Sequence, residues 1–102
     1  MMKRYELVIY GRYLDDELIT IWELSRLVGL HPDKLRRYIV LGLLDPVVEK
    51  PEPLFEESIV ARVHKIERLK NDLGLNLAGC GLVLDLLEKI AELEEQLERL
   101  QR

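Results

Sequence analysis

Lys34, Arg36 and Arg37 form the one compact cationic cluster of this 102-residue chain. Ammonium and guanidinium groups so close together neutralise phosphates, and an arginine fork also fits the acceptor edge of guanine. The chemistry on offer is nucleic-acid binding, with Tyr38, next along the same segment, as a further candidate contact. A solvated helix face accounts for three cations equally well, because the chain carries a net charge of −4 and repels a polyanion weakly as a whole. Catalytic chemistry finds less support. His31, His64 and Cys80 are scattered without ligand spacing, so no metal site is expected. Gly79 and Gly81 bracket Cys80 without the Lys-Ser/Thr ending of a nucleotide loop, and close helix packing is their plainer use. The carboxylates recur at spacings that place them on helical faces, not in a cleft. The chain reads as a binding protein, not an enzyme, with no cofactor.

The elements that must hold the cluster lie between Thr20 and Leu44, TIWELSRLVGLHPDKLRRYIVLGLL. Ile21, Leu24, Leu27 and Val28 recur at helical spacing, and Thr20 is placed to cap that helix. Gly29 supplies a turn. His31-Pro32-Asp33 opens a second helix, since Pro is tolerated at the first helical position and Asp suits the positive helix end. Leu35, Tyr38 and Ile39 then face the core, Lys34, Arg36 and Arg37 face outward, and Gly42 ends the helix. Two short helices around a glycine turn predict a helix-turn-helix. The letters His31-Pro32-Asp33-Lys34 also mark the active loop of J-domains, but no basic helix precedes them here, and capping is sufficient explanation.

Residues Arg4 to Tyr10 alternate around Tyr5, Leu7 and Ile9 and predict a short N-terminal strand. Pro46, Pro51 and Pro53 forbid helix across VVEKPEP, which reads as a loop or hairpin in the position of a wing. A third helix is expected from about Glu56 to Leu73, with Phe55, Ile59, Val63, Ile66, Leu69 and Leu73 on its stripe and Gly74 ending it. Asn76 caps a fourth, running from Leu77 nearly to the C-terminus. In it Val83, Leu86, Ile90, Leu93, Leu97 and Leu100 step by three and four, the rhythm of a coiled coil. A stripe longer than the third helix can cover predicts a homodimer through the C-terminal helix. The domain reading is residues 1–75 for the winged helix-turn-helix and 76–102 for the long helix.

Charge is distributed unevenly along the chain. Between Thr20 and Leu44 four cations face two carboxylates, whereas from Glu56 onward ten acids face seven bases. Asp85, Glu88, Glu92 and Glu95 share one side of the fourth helix, with Asp72 in the preceding helix. Solubility explains Glu92 and Glu95 best. One cysteine excludes an internal disulfide, and the charged N-terminus fits neither a signal peptide nor a membrane span, so the cytoplasm is the expected compartment.

The order helix-turn-helix, wing, third helix, long C-terminal helix resembles that of MerR-type regulators, and LRRYIVLGLLDP is similar to their second-helix motif. RLKNDLGLNLAGCGLVLDLLEKIAELEEQL is similar to the C-terminal half of CbpM-type chaperone modulators, MerR-like proteins that bind the J-domain of a DnaJ-type co-chaperone. Heat-shock repressors of the MerR class carry a comparable LNLAG turn. Together the resemblances cover Thr20 to about Leu100. They imply a mainly α, MerR-like winged helix-turn-helix with a short N-terminal strand and a coiled-coil helix. Ile39 stands where the repressors usually place an acidic residue, and Lys50 is the only cation near the wing aromatic Phe55, which sits among Glu49, Glu52 and prolines. Read through the CbpM likeness, Asp72, Asp85 and Glu88 become the surface for the basic helix of a J-domain. Read through the repressor likeness, Lys34, Arg36, Arg37 and Tyr38 contact DNA. The expected function is a CbpM-like modulator, with a MerR-family transcriptional regulator as the alternative.

Overall fold

The computed structural model describes residues 17–101, together with the backbone of three N-terminal strands. These strands are β1 (Lys3–Arg4), β2 (Leu7–Ile9) and β3 (Arg12–Leu14). They are followed by β4 (Glu17–Thr20), α1 (Ile21–Val28), α2 (Pro32–Val40), β5 (Leu54–Glu56), α3 (Ile59–Leu73) and α4 (Leu77–Leu100). The mainly helical chain with a long last helix agrees with the sequence reading. Its N-terminal part is richer: the single expected strand is divided into β1 and β2, with β3 and β4 added. Tyr5 and Tyr10 lie outside the described residues.

The chain divides into two units, Met1–Lys65 and Ile66–Arg102. The expected boundary at 75/76 follows the end of a helix, whereas the division found here falls inside α3. In the first unit, β4 is the middle strand of an antiparallel sheet ordered β1-β4-β5, and β2 pairs with β3 in a separate hairpin. Ile19 faces Phe55 across the β4–β5 ladder and Thr20 faces Leu54. Leu18, Ile19, Leu54 and Phe55 are all buried, and Ile21, Leu24, Leu35, Tyr38, Leu43, Leu44 and Val63 complete this core. The wing is a hairpin: Val47 N–H donates to Leu54 O at 2.8 Å and Leu54 N–H to Val48 O at 2.9 Å. Its return strand runs through Glu56, so α3 begins at Ile59 and not at Glu56. Arg62 Nε donates to Leu43 O at 2.6 Å, which ties the first turns of α3 to the loop after α2.

Two features of the apolar stripes differ from expectation. Leu27 is 51% exposed. Leu27 lies about a third of a turn round the helix from Ile21 and about a sixth of a turn beyond Leu24, past the edge of the stripe, and α1 buries only Ile21 and Leu24. Leu73, the last residue of α3, is exposed as well.

In the second unit Asn76 caps α4 by accepting the Gly79 N–H at 2.7 Å. A Cβ on Gly79 would stand 3.2 Å from that oxygen, so this glycine serves the cap and not the helix packing expected of it. Ile66, Cys80 and Leu84 are buried. Beyond Leu84 every described residue of α4 is exposed, including Leu86, Ile90, Leu93, Leu97 and Leu100. No helix among the described residues is long and apolar enough to cross a membrane.

Candidate nucleic-acid interface

The turn between α1 and α2 is set at both ends by local chemistry. Thr20 Oγ1 accepts the Glu23 N–H at 3.2 Å while Glu23 Oε1 accepts from the Thr20 N–H at 3.4 Å. This reciprocal capping box satisfies donors that a helix start leaves free. Ser25 O then accepts from the N–H groups of Gly29 and Leu30, and Gly29 takes a left-handed φ of 72°. A side chain there would be strained, so glycine lets the backbone reverse within three residues. His31 caps α2 through Nδ1, which accepts the Asp33 N–H at 3.1 Å, and Pro32 occupies the first helical position.

From this start α2 places its side chains by the helical period. Leu35 and Tyr38 are fully buried while Arg36 and Arg37 are exposed and Lys34 is partly covered. Arg36 and Arg37, two of the four expected DNA contacts, therefore stand on the outer side of α2, and Lys34 lies on its flank toward the Tyr38 ring. Tyr38 is the correction: its ring is enclosed in the core, which leaves no surface for a base or phosphate. Lys34 Nζ approaches that ring at 6.0 Å from the centroid, the outer limit of a cation–π contact. Ile39, expected in the core, is half-buried.

Arg36 is held from two sides. Its Nη1 donates to Asp33 Oδ1 at 2.9 Å, and its Cζ lies 5.2 Å from the centroid of the Trp22 ring on α1. Sequence reasoning passed over Trp22. The available signal was an aromatic at an outward position of α1, out of step with Ile21 and Leu24. The wing presents Glu49, Lys50, Pro51 and Glu52 as exposed residues, one cation against two carboxylates.

In the second unit Asp72, Asp85 and Glu88 are all exposed. Asp72 and Asp85 make no ion pair among the described residues, whereas Glu92 lies 3.9 Å from Lys89 and Glu95 lies 3.2 Å from Arg99. Cys80 is enclosed, with Sγ 3.8 Å from Ile66 O. Burial pushes its thiol pKa up, Lys70 pulls it down and Glu67 raises it further. A thiol held in its neutral form is a poor nucleophile. No group of three metal-binding side chains occurs among the described residues.

A capped helix, a glycine reversal, a second helix with an outward cationic face and a hairpin wing define the winged helix-turn-helix class. Residues 19–102 match the family described as MerR HTH family regulatory protein, and the chain belongs to it. It is also 31% identical over 81 residues to a Streptomyces coelicolor protein named heat shock protein HspR, a match covering 78% of this chain and 54% of that protein. The chain thus spans about half the length of that relative.

Proposed function

We propose that this MerR-family chain is a DNA-binding transcriptional regulator of the heat-shock type, reading duplex DNA with the outer face of α2. One observation carries the reading: Arg36 and Arg37 stand exposed, with Lys34 beside them, on a helix whose start is fixed by a capped turn. The name of the Streptomyces relative supports the heat-shock setting. The exposed apolar stripe of α4 supports a homodimer, which presents two α2 helices to a palindrome. The full chain is expected to select a duplex from a randomised library and to lose affinity steeply as salt rises, since cations on phosphates release counterions. Sequence-blind retention of duplexes, or none, overturns this reading.

The wing favours a second reading. A hairpin tip with Glu49 and Glu52 repels a phosphate backbone more than it anchors to one. The similarity of residues Arg68–Leu97 to CbpM-type modulators supplies the corresponding function, binding of the J-domain of a DnaJ-type co-chaperone. Asp72, Asp85 and Glu88 then form the surface that meets the basic helix of the J-domain. Under this reading Asp85→Lys with Glu88→Lys abolishes capture of a J-domain in a pull-down and leaves duplex binding unchanged. Capture that survives the double charge reversal removes the acidic face from consideration.

A further inference from the structure

The start of α2 carries a connected series of side chains that ends on α1. His31 Nδ1 takes the Asp33 N–H at 3.1 Å and stands 3.7 Å from the Asp33 carboxylate. That carboxylate accepts Arg36 Nη1 at 2.9 Å, and the Trp22 ring lies against the guanidinium. Trp22 is 58% exposed, so burial in the core does not explain its presence. Two helices therefore restrain one arginine before any ligand arrives. Its Nε and Nη2 make no hydrogen bond among the described residues, and they form the edge of the fork that meets two acceptors at once. The side chain of Arg37, its neighbour, is exposed and makes no hydrogen bond, ion pair or ring contact among the described residues.

The charges of the two arginines separate their uses. Asp33 neutralises Arg36, so the pair adds almost nothing to the attraction of a phosphate backbone, while its free edge keeps its geometry. A directional, nearly neutral fork suits a neutral acceptor edge. We infer that Trp22 and Asp33 are positioning residues for Arg36, aiming its Nε and Nη2 at a base that offers two acceptors, as guanine does through O6 and N7. Arg37, free and uncompensated, serves a phosphate. This inference rests on the duplex-reading function proposed above.

The test uses the full chain, a duplex it selects from a randomised library, and a shuffled duplex of the same length and composition, each titrated over a salt series. Trp22→Ala keeps the charge, so the salt slope stays constant while the ratio of selected to shuffled affinity falls roughly tenfold. Trp22→Phe, which retains an aromatic face, keeps most of that ratio. Asp33→Asn lowers the ratio but tightens binding to the shuffled duplex, because it frees a cation; a loss of folding moves both affinities downward instead. Arg37→Ala flattens the salt slope by about 1 per α2 helix and keeps the ratio. An unchanged ratio in both Trp22→Ala and Asp33→Asn overturns the positioning role while leaving DNA binding in place. Failure to select any duplex overturns the DNA reading and the inference with it.

Discussion

Phe55→Ala is expected to destabilise the first unit by about 3–5 kcal/mol, a large part of its stability. Phe55 is fully buried on β5, opposite Ile19 of the central strand, and its neighbour Leu54 pairs with Thr20, the residue that caps α1. Truncation removes apolar area and leaves a cavity at the junction of sheet and helix-turn-helix. Domains of this size have only about 5–15 kcal/mol in reserve, so a loss of this order lowers the melting temperature by roughly 15–30 °C. Thermal unfolding followed by circular dichroism measures it. A shift of only a few degrees would show that this ring does not hold the sheet in place.

Arg36→Ala with Arg37→Ala is expected to weaken binding to the selected duplex by roughly a hundredfold at moderate salt, through the loss of one base contact and one phosphate contact per α2 helix. Both side chains are exposed, so folding is retained. The salt slope flattens because of Arg37, and discrimination between selected and shuffled duplexes falls because of Arg36. Fluorescence anisotropy of a labelled duplex over a salt series separates the two effects. Full affinity in the double variant would remove α2 as the reading element.

Much of the helix-turn-helix was legible because its boundaries are written in single residues. Thr20 as a cap, Gly29 as a left-handed reversal, Pro32 at the first position of α2 and Asn76 before α4 each act through their own backbone or the next turn. Such effects need no knowledge of distant contacts. The sheet was less legible for the converse reason. β4 is only Glu17–Thr20, with Leu18 and Ile19 both buried, so it shows no alternation, and its pairing with β5 depends on residues far along the chain. The same pairing extends β5 through Glu56 and delays α3 to Ile59, against the apolar period that pointed to an earlier start.

The candidate site divides along similar lines. That Arg36 and Arg37 face outward follows from the buried positions of Leu35 and Tyr38 on the same helix. Tyr38 itself illustrates the limit, since adjacency to cations in sequence placed it with the contacts while the helical period placed it in the core. The role of Trp22 was not legible, because its contact with Arg36 spans two helices whose crossing no local pattern specifies.

Trp22 is also the one tryptophan in the chain. Its indole emission arises from a single place, the surface beside Arg36, and is unmixed with any signal from the interior. The protein therefore carries an intrinsic optical probe of that surface, one that reports occupancy of the α2 face without a label.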